Sequence, residues 1–516
     1  MDINLDKNEI SICNMELISG EQAFESDILL PDYYQDIMKI LKCYAVPVVT
    51  KSNLLNNKIV IDGMVSVKIY YQTVENKIRT ISSKINFSKV FEVEEYKNDL
   101  YIFPQLKLDY VNCRAVNERK IDIKGAISIS VRLFYNSKEE MLESADGVGL
   151  QIKKDVIKTM AVIGSNNNQF NLKEEVVLDS NKPDIGNIIR YEFDVICSEK
   201  KVIDNKIVFK GNVEGKVLYS QFNEGDESEL PVVVDFVLPI NQIVDLSGLV
   251  PGDDCHLDCD LVWAEITPKA NSDGKNRSFV VDVSFNAVVK CHKEITTNFI
   301  LDAYSTLKEV ENNYKVINCY KILNKIDETV MVEANVSIPG ASGLKVLDVW
   351  NTPKIVFTKT NDGSLIVEGK TELSILGLQD DMPIYIEKFI DFQTSVPIQN
   401  LDAGDIRYDL EVKNRKINYS LNNDSMDLKI DLNLEGYIYQ NKVKNVITDI
   451  KVSENDKVKE KNDSNSLIVY YAQPGEDVWE LAKKYNTNIS AILNENEDLE
   501  EGIIKEKRML LIPVVN

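Results

Sequence analysis

Asn57-Lys-Ile-Val-Ile-Asp-Gly63-Met-Val-Ser-Val, Asn205-Lys-Ile-Val-Phe-Lys-Gly211-Asn-Val-Glu-Gly and Gly363-Ser-Leu-Ile-Val-Glu-Gly369-Lys-Thr-Glu-Leu read alike along the chain. In each, apolar and polar residues alternate behind a turn and around one glycine, the pattern of a strand with one buried face. Upstream of each lies a strand-like run ending at a proline or aspartate: Asp27-Ile-Leu-Leu-Pro31, Glu175-Val-Val-Leu-Asp179 and Asn335-Val-Ser-Ile-Pro339. Pro31 to Asp179 and Gly63 to Gly211 are both 148 positions, and the next intervals are 160 and 158. Two landmarks that keep step define an internal repeat of about 150 residues.

A short apolar segment follows each opening run, at Ile37–Leu41, Ile185–Ile189 and Leu344–Val349. A second alternating strand closes each unit, beginning at Ile121, Val281 and Leu428. Helical periodicity is scarce before residue 467. The fold expected is mainly β: three tandem antiparallel β-sandwich-like repeats over 1–150, 151–310 and 311–451, then a linker over 452–466 and a small α+β module over 467–516. The linker, VSENDKVKEKNDSNS, has almost nothing to bury and is expected to be a solvated tether.

The 516 residues are too many for one hydrophobic core. With 82 acidic and 59 basic side chains the formal charge is -23, which repels phosphate backbones and anionic lipid. Nucleic acid is not an expected partner. The N-terminus lacks a basic segment followed by an apolar one, so no export signal is expected. The best apolar runs, Pro231–Ile240 and Ser278–Cys291, are short and each carries an Asp, so membrane insertion is not expected either. Eight scattered cysteines read as reduced thiols of a cytosolic protein.

The only histidines, His256 and His292, each adjoin a cysteine, in Cys255-His-Leu-Asp-Cys259 and Cys291-His292. Two Cys–His pairs could hold zinc. Strand phase opposes that: Cys255, Leu257, Cys259 and Leu261 share one face, as do Val283, Phe285, Ala287, Val289 and Cys291, which turns the histidines the other way. No nucleophile elbow, phosphate loop or dinucleotide fingerprint occurs. No catalytic residue, cofactor or metal is expected, and a binding scaffold is expected instead of an enzyme.

In the C-terminal segment, Leu467–Ala472 reads as a strand and Gln473-Pro-Gly as a turn. Asp477 stands three residues before Glu480 at the head of an amphipathic run, which is how a capped helix begins. Val478, Leu481, Ala482 and Tyr485 form one stripe, Ile489, Ile492 and Leu493 a second, and Met509–Pro513 closes as a strand. This βααβ order resembles the LysM family through Tyr470, Pro474, Gly475, Val478, Trp479, Leu481, Ala482, Tyr485, Ile492, Leu493, Asn496, Leu510, Ile512 and Pro513. It departs from that pattern at Ala472, Glu476-Asp477, Glu497 and Lys505–Arg508. The resemblance implies a groove between two loops, formed here by Pro474, Gly475, Glu476, Asp477 and Trp479 on one side and Asn494, Glu495, Asn496, Glu497, Asp498 and Leu499 on the other. Trp479 stands one position off the buried stripe and is expected on the flank of its helix, beside the groove loop, either as a partly packed rim residue of a very small core or, the preferred reading, as an anchor that a partner buries. LysM modules usually hold N-acetylglucosamine-containing glycans. The carboxylates of the second loop suit a basic protein surface better than a neutral glycan.

Asp27–Tyr71, with DILLPD, IMKIL and NNKIVIDGMVSVKIYY, resembles the SPOCS domain of spore-coat morphogenetic proteins, and the likeness recurs more weakly in the later repeats. Tandem SPOCS-like domains before a LysM-like module resemble the SipL-type family of coat morphogenesis factors of anaerobic spore-formers. That likeness implies a non-enzymatic adaptor made in the mother cell and placed at the forespore surface. It also implies that the LysM-like module binds the basement-layer coat ATPase and that other coat proteins are tethered in turn. The alternative expectation is a protein of the wall or cortex that binds peptidoglycan.

Overall fold

Alternating strands of this length need neighbours to pair with and a cover on one face, and the computed structural model supplies both within each repeat. It describes residues 3–93, 100–223, 226–361, 363–398, 404–453, 467–497, 499–500 and 502–514. Residues 454–466 of the expected tether lie outside the described residues.

The first repeat comprises β1 (Asn4–Leu29), β2 (Ile37–Leu55), β3 (Lys58–Thr73), β4 (Ile78–Glu92), β5 (Tyr101–Asn117) and β6 (Lys120–Asp146). They form two antiparallel three-stranded sheets, β1-β6-β5 and β2-β3-β4. The second repeat follows the same plan with β7 (Leu150–Val177), β8 (Ile185–Ile203), β9 (Lys206–Asn223), β10 (Asp226–Asp245), β11 (Asp254–Ala270) and β12 (Asn276–Ser305). So does the third, with β13 (Val310–Ser337), β14 (Leu344–Asn361), β15 (Ser364–Gln379), β16 (Met382–Pro397), β17 (Asp405–Leu421) and β18 (Ser425–Val452). Each repeat thus opens on a long strand, and the run that marks it in the sequence begins only at the last three residues of that strand.

Within a repeat the two sheets bury their facing side chains against each other. In the first, Val65, Val67 and Ile69 of β3 meet Ile121, Ile123, Ile127 and Ile129 of β6, all fully buried. Each such side chain contributes about 1.5–3 kcal/mol of burial. Asn56 and Asn57, at φ 47° and 62°, make the tight hairpin between β2 and β3, a left-handed turn that asparagine tolerates.

The glycine that marks each repeat has a steric cause. Gly63, Gly211 and Gly369 pair with Val49, Cys197 and Ile355, and in each case the partner strand bulges immediately afterwards. The bulge pushes a carbonyl into the space of a side chain. A Cβ on Gly63 would lie 2.6 Å from Val48 O, and Gly211 and Gly369 are closed off in the same way by Ile196 O and Lys354 O.

The outer halves of the long strands leave the sandwiches. Along β6 the alternation slips at Leu133 and Phe134, both buried: Leu133 faces the sandwich core and Phe134 faces a cluster built from all three repeats. That cluster gathers Cys13, Met15, Phe103 and Phe134 with Met160 and Val162 and with Tyr320, Tyr437 and Tyr439. Further along, Leu142, Ile300 and Ile447 meet from the three repeats. A third junction joins Ile78, Ile189, Leu218, Trp350, Leu376 and Leu378. The repeats therefore pack around a common axis as the subunits of a trimer do, each touching the other two.

Buried and half-buried charges tie the repeats together as well. Asp348 of the third repeat accepts from Lys216 at 2.5 Å and from Arg190, both of the second. Lys42 of the first reaches Glu372 of the third at 2.6 Å, and also Glu387.

Two cysteine pairs correct the expectation of reduced thiols. Strand pairing sets Cys255 directly opposite Cys291, closure of the first sandwich brings Cys43 to Cys113, and both pairs are disulfide-linked. The strand phase read from the sequence holds for the histidines: Cys255, Leu257 and Cys291 lie in the second core, and His256 and His292 point away from it. The opposite face is not solvent but the junction between repeats, where His256 pairs with Asp258 at 2.8 Å and packs on Tyr437. His292 packs on Phe134. Among the described residues no helix is long and apolar enough to cross a membrane.

The C-terminal module is β19 (Leu467–Ala472), α1 (Val478–Lys484), α2 (Ile489–Glu495) and β20 (Arg508–Pro513), with β19 antiparallel to β20. Asp477 caps α1 by accepting the Trp479 backbone N–H at 2.9 Å, and Asn488 caps α2 by accepting that of Ala491 at 2.7 Å. Val478, Leu481, Ala482 and Ile492 fill the small core against Ala472, Leu510 and Ile512.

Candidate binding site on the C-terminal module

The two loops expected to flank a groove are the β19–α1 turn and the residues after α2. Pro474 and Gly475 form an exposed turn, with Gly475 at φ 96°, a left-handed conformation that any side chain would strain. Gly475 donates to Ile504 O and Ile504 donates to Glu476 O, each at 2.8 Å, so the turn is stitched to the segment leading into β20. Glu476 accepts the Gln473 backbone N–H and the Tyr470 hydroxyl, each at 2.7 Å, and these donors hold its carboxyl below the ordinary range.

On the other side, Asn494, Glu495 and Glu497 are exposed. Asn496 is buried, and its amide is spent internally: Nδ2 donates to Ile492 O at 2.7 Å and Leu511 O at 2.8 Å, while Oδ1 accepts from Leu511 N at 2.9 Å. It ties α2 to β20, and both of its amide N–H groups are spent within the module. Leu499 is half-buried against the module core. Asp498 lies outside the described residues.

Trp479 departs furthest from expectation. Its side chain is not a free flank; it is 4% exposed, covered by the end of β12. Its ring meets Tyr304 edge-on with centroids 4.9 Å apart, and its indole N–H donates to Asp302 Oδ2 at 2.8 Å. Lys483, one turn along α1, reaches the same oxygen at 2.6 Å. Tyr304 donates its hydroxyl to Thr487 O at 2.6 Å, and Lys153 of β7 binds Asp477 at 2.6 Å. Burial works against the charged form of Asp302, but Lys483 and Trp479 outweigh it and hold the carboxyl below its ordinary range. The physical reason for the departure is long-range: the partners of Trp479 lie 177 and 175 positions earlier in the chain.

Sequence reasoning named the two loops and did not point to Lys153, Asp302, Tyr304, Lys483 and Thr487, which the structure brings to Trp479 and its helix. A signal for them existed in the repeats. The ends of β6, β12 and β18 share a one-residue bulge, at Glu143, Leu301 and Thr448, which aligns Asp302 with Ser144 and Asp449, and Tyr304 with Asp146 and Lys451. Opposite these, Lys153 aligns with Asp6 and Asn313. Only the second repeat combines an acid, an aromatic ring and a lysine there, and the module docks on that repeat although it follows the third in sequence.

Repeated six-stranded sandwiches, joined around an axis and followed by a small capping module, define a modular β-sheet scaffold. The family model described as SipL, SPOCS domain, matches residues 36–116 and 184–269, which span β2 to β5 of the first repeat and β8 to β11 of the second. Two successive repeats are thus similar to the SPOCS domain, which is consistent with a SipL-type protein and with a sporulation-related role. No curated protein and no solved structure matches it.

Proposed function

We propose that the protein is a non-enzymatic adaptor of spore coat assembly, made in the mother cell and acting at the forespore surface. The three sandwiches form its body, and the LysM-like module binds the basement-layer coat ATPase, so that other coat proteins are tethered through the body. The observation that carries this reading is the SPOCS match in two successive repeats of one trimer-like body. The module's rim supports a protein partner over a glycan. Glu495 and Glu497 are both exposed at the end of α2, and carboxylates reward basic side chains more than neutral sugar hydroxyls.

The test is capture of the purified coat ATPase by the full chain, with Glu495→Lys/Glu497→Lys as the variant. Charge reversal on the rim is expected to weaken capture at least tenfold, about 1.4 kcal/mol, without altering the circular dichroism of the chain. Undiminished capture moves the binding surface off this rim. Capture of peptidoglycan fragments, with none of the ATPase, replaces the adaptor by a wall-binding protein.

A further inference from the structure

The contact between α1 and the second repeat has the make-up of a recognition site with its ligand in place. The receptor side consists of the Trp479 ring and indole N–H, the Lys483 ammonium and the Thr487 carbonyl. The ligand side is an extended strand end, Asp302-Ala303-Tyr304. Its carboxylate takes both donors, its ring packs on the indole, and its hydroxyl returns a hydrogen bond to the module. All four contacts involve just two residues of that strand, spaced i and i+2 so that an extended chain presents both on one face.

Three observations mark this as a specific contact. Tyr304 is 3% exposed and Thr487 is fully buried, so the aromatic end of the seat is desolvated. The equivalent strand ends of the other two repeats carry Ser144 and Asp146, or Asp449 and Lys451, and neither combines the acid with the ring. The third repeat is the nearer in sequence, yet the module passes it over. A planar indole with its N–H aimed at a carboxylate, a cation beside it and an aromatic ring against its face is how protein surfaces seat an anchoring residue pair.

We infer that the α1 face formed by Trp479, Lys483 and Thr487 is a receptor for an extended acidic–aromatic peptide segment of the type Asp-x-Tyr. Asp302-Ala303-Tyr304 occupies it from within, and a partner protein presenting such a segment takes its place. This rests on the reading of the module as the partner-binding end of the chain, and adds the chemistry of the partner and a gate. In the closed chain the internal segment sits at a high effective concentration, so an external segment binds only in competition with it. The exposed rim at Glu495 and Glu497 stays open in both states.

The probe is a synthetic, capped peptide of residues 300–306, Ile-Leu-Asp-Ala-Tyr-Ser-Thr, titrated against the full chain. The wild type is compared with Asp302→Ala/Tyr304→Ala, which vacates the seat, and with the milder Tyr304→Phe. Hydrogen exchange of 478–495 reports whether the module has been released and remains folded. The double variant is expected to show faster exchange in α1 and to bind the peptide at least tenfold tighter than the wild type. Tyr304→Phe is expected to fall between them. A peptide carrying Asn in place of its Asp should lose most of the gain.

Released and folded α1 that ignores the peptide up to about 1 mM, roughly 4 kcal/mol, overturns the inference. Unchanged exchange in the double variant also overturns it, because Asp302 and Tyr304 then do not hold the module. Capture of the coat ATPase is measured on the same proteins. Its absence from every one of them counts against the proposed function alone, since the peptide titration does not depend on it.

Discussion

Lys290 of the second repeat and Asp409 of the third lie 3.5 Å apart inside the body, and Arg132 of the first repeat bonds the same carboxylate. Gln105 completes the set, donating to Asp409 Oδ1 at 3.0 Å. One carboxylate thus answers cations from both other repeats. Burial opposes its charge, yet Lys290 and Arg132 hold it below the ordinary carboxyl range.

Removing that carboxylate leaves two cations buried without an answering charge, which costs about 3–5 kcal/mol in comparable buried sites. Asp409→Asn is therefore expected to lower stability by that order in urea denaturation. Lys290→Met in the same background should recover part of the loss. A loss under about 1 kcal/mol would show that the carboxylate does not hold the repeats together.

His292 gives the body an acid-sensitive edge. Burial, with Lys290 nearby, pulls its pKa from 6.5 down to about 4. The unfolded chain therefore binds a proton that the folded chain refuses, and stability falls as pH drops from 6.5 through 4. The gap corresponds to roughly 3 kcal/mol by pH 4. His292→Asn should flatten this part of the stability profile relative to wild type, measured by denaturant midpoints at pH 7, 5.5 and 4. Parallel profiles for the two proteins would exclude His292 as the source.

Gly211 is the tightest of the three bulge glycines, with Ile196 C 3.0 Å and Cys197 Cα 3.1 Å from where a Cβ would stand, and Ile196 O closer still. These neighbours are backbone and cannot swing aside. Gly211→Ala is expected to cost about 2 kcal/mol or more, the scale of overpacking in a filled interior. Alanine at Gly274, which has nothing within 4 Å, controls for a glycine held by backbone conformation alone, its φ being +74°. Equal losses at both sites would remove the steric account of the repeat glycine.

Asn496→Ala deletes three internal hydrogen bonds that fasten α2 to β20. At about 1 kcal/mol each, with the Ile492 and Leu511 carbonyls and the Leu511 N–H losing this partner, the module is expected to open locally while the body stays intact. Faster hydrogen exchange confined to 467–514 checks this. Exchange that rises equally in the sandwiches would mean that the module and the body unfold as one.

How much of this was legible follows from how local each cause is. The strands around Gly63, Gly211 and Gly369 announce themselves because alternation and a bulge glycine are properties of a few adjacent residues. So does the cap at Asp477. The first half of β1 is harder to read. Ile10 and Ile12 pack between repeats, not inside a sandwich, so no single core explains their spacing. Trp479 was misplaced for the same reason: helix phase positions it on a flank correctly, but nothing near residue 479 says that Asp302 and Tyr304 cover that flank. The cysteines show the limit most sharply, since Cys255 and Cys291 share a core face by phase and become a bonded pair only through strand register.

Linking three like sandwiches in one polypeptide fixes what a true trimer leaves to chance. Identical subunits would carry three identical docking ends, and three modules would find three seats. Here each sandwich is a separate stretch of gene, free to acquire its own surface, and one of the three has become the resting place for the single module. A shortened chain lacking one sandwich would not be a smaller copy of the whole. It would be an open wedge, its Phe134, Met160 or Tyr439 facing water where a neighbour used to be.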